Sequence, residues 1–497
     1  MVNRRQFLGA AAFAIGAGAC KSSRSTGGGH PDGVVLNDVH SKLNATRVAQ
    51  LRSVDSLAAL RDALLMASRA GQSISIAGGR HAMGGQQFGT DTLHLDTRAM
   101  QRILDFDAQR GLLEVEAGIQ WPGLMDFLQT AQAGRSRPWG IAQKQTGADR
   151  LSIGGALAAN IHGRGLTLQP FVGDIESFVI VDATGSPLRC SREENRQLFE
   201  LAIGGYGLFG AVYSVQLRLV PRVLLERVVE VRAVDGLAEA FEERIRDGFS
   251  YGDFQFETDE RSPTFLTRGV FACYRPAARG AVIRPDQKEL SREDWNELLF
   301  VAHADKARVF ELYSQHYLAS QGQIYWSDTQ QLGYYPDDYH EVLDRRLGTS
   351  SAGPEMISEL YVPRAELASF LHAAAAELRA QEANVIYGTI RLIERDDISV
   401  LAWARQPWAA VVLNLHVEHD AVGIERAVRA FRSLIDLARE RGGSYYLTYH
   451  RWATRSQVEA CHPRMVEFLR KKLALDPDQR FQSDWWRHYR AMFADVV

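Results

Sequence analysis

Three glycine-rich stretches carry the residue types best suited to holding a charged ligand: AGGRHAMGGQQFG (77–89), LSIGGALAANIHGRG (151–165) and FELAIGGYGLFGAVYSVQLRLVP (199–221). In the first, a strand opens into consecutive glycines, and without a Cβ the backbone N–H groups can approach an anion such as a diphosphate. Gly78, Gly79, Arg80, His81, Ala82 and Gly84 form this loop. It has neither the G-x-G-x-x-G of a dinucleotide turn nor the G-K-[ST] of a triphosphate loop, so NAD and nucleoside-triphosphatase readings lose support. In the second, Gly154, Gly155 and a run of alanines allow backbone to pack closely against a flat ligand, or equally against a neighbouring strand. In the third, Gly204, Gly205, Gly207 and Gly210 crowd one turn ahead of a strand. Each alone also reads as an ordinary packed turn, with a surface histidine at 81 or a structural one at 162. The three together, in this order, point to one ligand site.

A second set of residues could act on a substrate. Asn414 and His416 alternate outward from the apolar run VVLNLHVEH (411–419). A neutral imidazole can take an alcohol proton, although any single histidine is more often a packing residue. Cys20, Cys190, Cys273 and Cys461 stand far apart, which leaves no CxxC zinc or redox motif and no disulfide scaffold, and no metal site is expected. A net charge of −3 argues against a broad basic surface for nucleic acid. After residue 20 no apolar run approaches the ~20 residues of a membrane span.

These residues need elements to position them. Leu57, Leu60, Leu64 and Ala67 recur at helical spacing after Asp55, read as the N-cap, and stop at Gly71. Strands follow at 73–77, 92–96 and 112–118, a helix begins near Trp121-Pro122, and a strand pair surrounds 178–191. From 222 to 445 the glycine clusters disappear and strand-like runs alternate with long helices, including 367–381 and 424–443. This block reads as a second domain inserted into the first, in a mixed α/β architecture. At the front, Met1–Cys20 combines Arg4-Arg5 with a short alanine-rich apolar core, and 21–40 reads as a flexible tether.

The glycine stretches and the tail LALDPDQRFQSDWWRHY (473–489) resemble the FAD-linked oxidases of the vanillyl-alcohol oxidase and p-cresol methylhydroxylase superfamily. The pattern is nearest to sugar, aldonolactone and alditol oxidases and to decaprenylphosphoryl-ribose oxidase. The resemblance implies an α+β fold: a two-subdomain FAD-binding domain of p-cresol methylhydroxylase type (41–222), an inserted α/β substrate or cap domain on an antiparallel sheet (223–445), and a C-terminal segment returning to the flavin domain (446–497). It places Ser152, Gly155, Asn160, His162 and Gly163 beside the flavin, Val212 on the adenine side, and Gly118 in a turn closing over the cofactor. His81 occupies the position from which many members bond the flavin 8α-methyl. The sequence departs there, with Arg80 where glycine is usual and Ala82 where serine is usual. Members lacking the histidine bind FAD without a bond, so both states stay open.

On the substrate side Arg391 matches an E-x-R strand whose glutamate is replaced by Thr389, and Thr454 replaces the lysine of an H-W-x-K segment. The implied chemistry is oxidation of a CH–OH group in a sugar, polyol or lactone-type alcohol, by hydride transfer to flavin N5. Oxygen or another acceptor then reoxidises the flavin. Arg391 would be the ring-facing cation, His450 the base and His416 the reserve. The alternatives are the same chemistry on an aromatic alcohol, amine or lipid-linked sugar, or an exported flavin-binding lipoprotein without catalysis. Arg4-Arg5 resembles a twin-arginine export signal. Ala17-Gly18-Ala19-Cys20 resembles a lipoprotein box, with plain cleavage after Ala19 as the other reading. Both place the mature protein in the periplasm, free or anchored through Cys20.

Overall fold

The computed structural model describes residues 33–333, 339–349 and 353–497. The export signal, Cys20 and the first part of the tether lie outside the described residues. The tether ends earlier than residue 40. Val34–Leu36 pairs antiparallel with Thr46–Val48, and Asp38 is buried, its carboxylate accepting from the backbone of His40, Ser41 and Lys42. Alternating apolar residues and an Asx-type turn give this segment enough buried contact to order it, which composition alone did not reveal.

The helix Leu57–Arg69 buries Leu60, Ala63, Leu64 and Ala67 and stops at Gly71, which has φ +64°. Its N-cap is Ser56, one residue later than expected, because the serine hydroxyl accepts from the Ala59 amide. It packs on a three-stranded parallel sheet of Gln50–Ser53, Leu93–Asp96 and Ile74–Ala77. An antiparallel five-stranded sheet follows, ordered Pro187–Ser191, Ile175–Val181, Ala211–Arg218, Leu112–Glu116 and Ile103–Asp107.

Residues 224–445 supply the eight strands of an antiparallel sheet. At its centre Tyr251–Phe256, Val385–Ile393, Trp408–His416 and Glu355–Val362 lie side by side. Side chains alternate across a strand, so each strand splits its residues between two faces. Leu360, Ile390, Val411 and Leu413 join the main core together with Phe370 and Phe431 of the helices Leu367–Ala380 and Ala421–Glu440. The opposite face carries Gln255, Thr389, Val412 and Glu359 in one cross-strand row and Arg391, Ala410 and Tyr361 in the next.

The C-terminal segment packs onto the first glycine loop. The Gln482 amide donates to the Ile74 carbonyl at 2.8 Å and the Asp484 amide to the Phe88 carbonyl at 2.7 Å, while Trp485 lies 4.8 Å from the Tyr206 ring. Lys472 and Asp476 form a buried ion pair beneath Phe481 and Trp486.

Candidate active site

One cavity of about 1170 Å³ runs from the glycine loops to the polar face of the eight-stranded sheet. Gly78, Gly79, Arg80, His81 and Ala82 line it at one end, joined by Ser152, Gly155 and Val212; Arg391 lines it further along. The loops are glycine-rich because they approach one another. A Cβ on Gly78 would stand 2.0 Å from the Ser152 hydroxyl oxygen, and one on Gly79 would stand 2.4 Å from the Arg150 carbonyl oxygen. Ser152 also caps the helix Ile153–Ala159, accepting from the Gly155 amide at 3.3 Å. Gly147 (φ +76°) and Gly207 (φ +73°) line the same end, and a Cβ on either would meet only open space.

Arg80 stands at φ +60°, a conformation that glycine adopts freely and other residues rarely. Its guanidinium reaches Asp96 at 3.1 Å, and Asp96 also holds Arg98. The ion pair explains how a long cation occupies a glycine-like position. His81 faces the cavity, and its Nδ1 lies 2.8 Å from Nε2 of His40. Burial, with smaller help from its histidine neighbour, pushes the His81 imidazole down to about 3; burial and Lys42 push His40 down to about 4. Both rings are therefore neutral at neutral pH.

Arg391 is buried and its Nε and Nη1 meet no hydrogen-bond partner. A buried guanidinium with open donors aimed along a cavity is the signature of a group that waits for a ligand. Around it lies a network that sequence reasoning missed. His162 Nε2 meets Glu359 Oε1 at 2.6 Å, while Glu359 Oε2 and the Tyr361 hydroxyl are buried without a hydrogen-bond partner. Burial, and then the Glu359 charge, raises the Tyr361 and Tyr449 hydroxyls. Burial alone would raise the Glu359 carboxyl; His162, Arg391 and Tyr361 outweigh it and hold it below the ordinary range. Tyr449 lines the cavity. The only sequence clue to Glu359 was a charged residue inside an apolar strand, ISELYV, and its partners come from other strands and loops.

Other residues expected at the cofactor lie behind the wall. Gly84 is tied to the Thr448 carbonyl, Gly118 packs on the turn at Thr97 where a Cβ would sit 1.9 Å from the carbonyl oxygen, and Gly163 packs on Gln143 and Lys144. Asn160, at φ 48°, ends the helix and joins two connecting segments by donating to Asp396 at 2.9 Å and accepting from the Val172 amide at 2.9 Å. His162 is fully buried against Glu359 and Trp403. None of these five lines the cavity.

Two substrate-side expectations need correction. His450 is sandwiched among aromatic rings, 4.8 Å from Phe431 and 5.7 Å from Trp452, does not line the cavity, and is pushed down to about 3 by burial. The helix Ala421–Glu440 folds over it through Phe431. His416 packs on His303 and crowds Gly353, where a Cβ would meet it at 2.2 Å. It does not line the cavity. Thr454 caps the helix Arg455–Cys461 in a reciprocal box with Gln457, a structural role.

Residues 48–191 match the model of an FAD binding domain. The site fits that cofactor: close-packed loops open into a cavity, backbone faces it without side chains at Gly147 and Gly207, and a cation with unpaired donors stands along it. FAD is the cofactor that this domain holds. Similar proteins include an L-gulono-1,4-lactone dehydrogenase of Mycobacterium tuberculosis, 28% identical over 199 residues, covering 40% of this chain and 44% of that one. An L-gulonolactone oxidase of Mus musculus is 25% identical over 168 residues, covering 34% and 36%. An L-galactono-1,4-lactone dehydrogenase 2 (mitochondrial) of Oryza sativa subsp. japonica is 24% identical over 408 residues, covering 75% and 65%. The chain thus spans less than half the length of the Mycobacterium tuberculosis relative.

Proposed function

We propose that this protein oxidises a CH–OH group of a sugar, polyol or lactone-type alcohol, using FAD held by the loops at 77–89 and 151–165. The observation that carries the reading is Arg391: a buried cation with two unpaired nitrogens in the same cavity as the glycine loops. The relatives, named for gulonolactones and galactonolactones, support the substrate class. When bound, FAD supplies a two-electron acceptor.

The chain supplies position and charge. Arg391 sets a positive charge where negative charge grows during oxidation. The Tyr449 hydroxyl, its ionisation pushed well up by burial and Glu359, stays protonated and orients the substrate hydroxyl. Glu359 lies behind it, off the cavity wall, so the alcohol proton reaches the carboxylate by relay: Tyr449 takes it while passing its own proton to Glu359, which His162 holds in place. We further propose that His81 bonds the flavin and that the Arg4-Arg5 segment directs export, with Cys20 as the lipid anchor.

Stopped-flow reduction of the flavin by a panel of alcohols and aldonolactones tests the reading. Arg391→Met should slow reduction roughly 30- to 1000-fold, the equivalent of one charge-assisted contact of ~2–4 kcal/mol, with FAD still bound. A wild type whose flavin no alcohol reduces would overturn the enzyme reading.

A further inference from the structure

The cavity does not end at Arg391. Beyond it, the helices Arg292–Ala304 and Lys306–Ala319, joined at Asp305, form a roof over the polar face of the sheet. Trp295, Leu298, Leu299 and Ala302 recur at i, i+3, i+4 and i+7, the spacing of one helix face. Such a face normally disappears into a core. Here all four line the cavity; Trp295, Leu298 and Leu299 are only half-buried and belong to none of the buried hydrophobic clusters among the described residues. From the second helix, Phe310, Tyr313 and Tyr317 lean on Val229, Val270 and Ala272 and present their remaining surface to the cavity. His303 ties the roof to the floor through Glu355 at 2.9 Å.

The floor is chemically opposite. Alongside the open nitrogens of Arg391, the buried Oδ1 atoms of Asp253 and Asn414 and Oε1 of Gln255 have no hydrogen-bond partner, and all four residues line the cavity. A hydroxylated ligand would satisfy them. The same hydroxyls set against Leu298, Leu299 or Val309 would lose their water without finding a partner.

Building on the oxidoreductase reading above, we infer that the substrate is an amphiphilic alcohol: a hydroxylated head on the sheet floor, and an alkyl or aryl substituent under the helical roof. A free aldonolactone fills only the head site.

Methyl, butyl and octyl glucosides, used below the micelle concentration of the longest, test this beside free glucose and gulonolactone. For each methylene seated under the roof, KM for flavin reduction should fall about three- to fourfold while kcat changes little. Leu298→Ser should collapse the ratio of KM between methyl and octyl glucoside. Binding is read separately by Trp295 fluorescence, with Trp295→Phe as the control. Octyl glucoside should bind at least about 30-fold more tightly than methyl glucoside, whether or not either is oxidised. Octyl and methyl glucoside binding within about threefold of each other, or a flat KM series, would overturn the inference. If no compound reduces the flavin but the chain-length preference in binding persists, the oxidation reading fails and the apolar chamber stands.

Discussion

His81 permits the sharpest quantitative test. Bonding to a flavin methyl requires the neutral imidazole, and burial pushes this ring down to about 3. At pH 5 a group with that value is ~99% neutral, whereas an ordinary histidine near 6.5 is only ~3% neutral. Between pH 7.5 and pH 5 the first-order rate of attachment should therefore change less than about twofold, where an unshifted imidazole would slow it roughly 30-fold. The assay is reconstitution of apoprotein with saturating FAD, quenched at intervals in acid, followed by flavin fluorescence of the precipitated chain. Wild-type precipitate should stay fluorescent, and His81→Ala should release all its flavin. His40→Ala removes the 2.8 Å contact that holds the ring, and the loss of one hydrogen bond of ~1 kcal/mol should slow attachment about fivefold. An attachment rate that follows a titration near 6.5 would refute the buried-neutral account. Free FAD from acid-treated wild type would refute the bond itself.

Three further outcomes are open to direct measurement. Gly79→Val forces atoms into the Arg150 backbone that a Cβ alone would already approach to 2.4 Å, so the purified variant should be colourless at unchanged far-ultraviolet circular dichroism; a yellow variant would remove this loop from the site. His450, neutral in the fold and pushed to about 3, takes a proton in the unfolded chain below 6.5, so its stabilisation is full above that pH and is lost as pH falls toward 3. His450→Phe keeps the stack on Phe431 without titrating. It should lose ~2 kcal/mol less stability than wild type between pH 7 and pH 5 in urea unfolding, with flavin reduction unchanged; equal losses, or slowed reduction, would return His450 to the chemistry. Arg4→Lys with Arg5→Lys should hold the precursor in the cytoplasm, and Cys20→Ala should free the mature protein from membranes; fractionation that matches wild type in both would discard export and anchor.

The glycine loops were legible in the chain because their constraint is local. Gly78, Gly79 and Ser152 announce a close backbone approach through residue type, and Leu57, Leu60 and Leu64 announce a helix through spacing. Arg391 was found instead through the family resemblance, as the cation of an E-x-R-like strand. What local logic could not supply was direction and partnership. Glu359 meets His162 across 197 residues of chain and shares a row with Thr389 only through the intervening strand Trp408–His416. His450 has the residue type of a base, yet the helix Ala421–Glu440 covers it with Phe431, and desolvation leaves it a packing ring. His40 lay in a stretch whose composition suggested a tether, until the strand pair at Val34–Leu36 placed it on His81. Trp295, Leu298 and Leu299 show an ordinary amphipathic pattern, and only the tertiary structure turns that face toward a cavity instead of a core. Sequence spacing fixes which residues share a face of one element. Which face of another element it meets is decided by long-range packing, because burial energy depends on the area the whole fold removes from water.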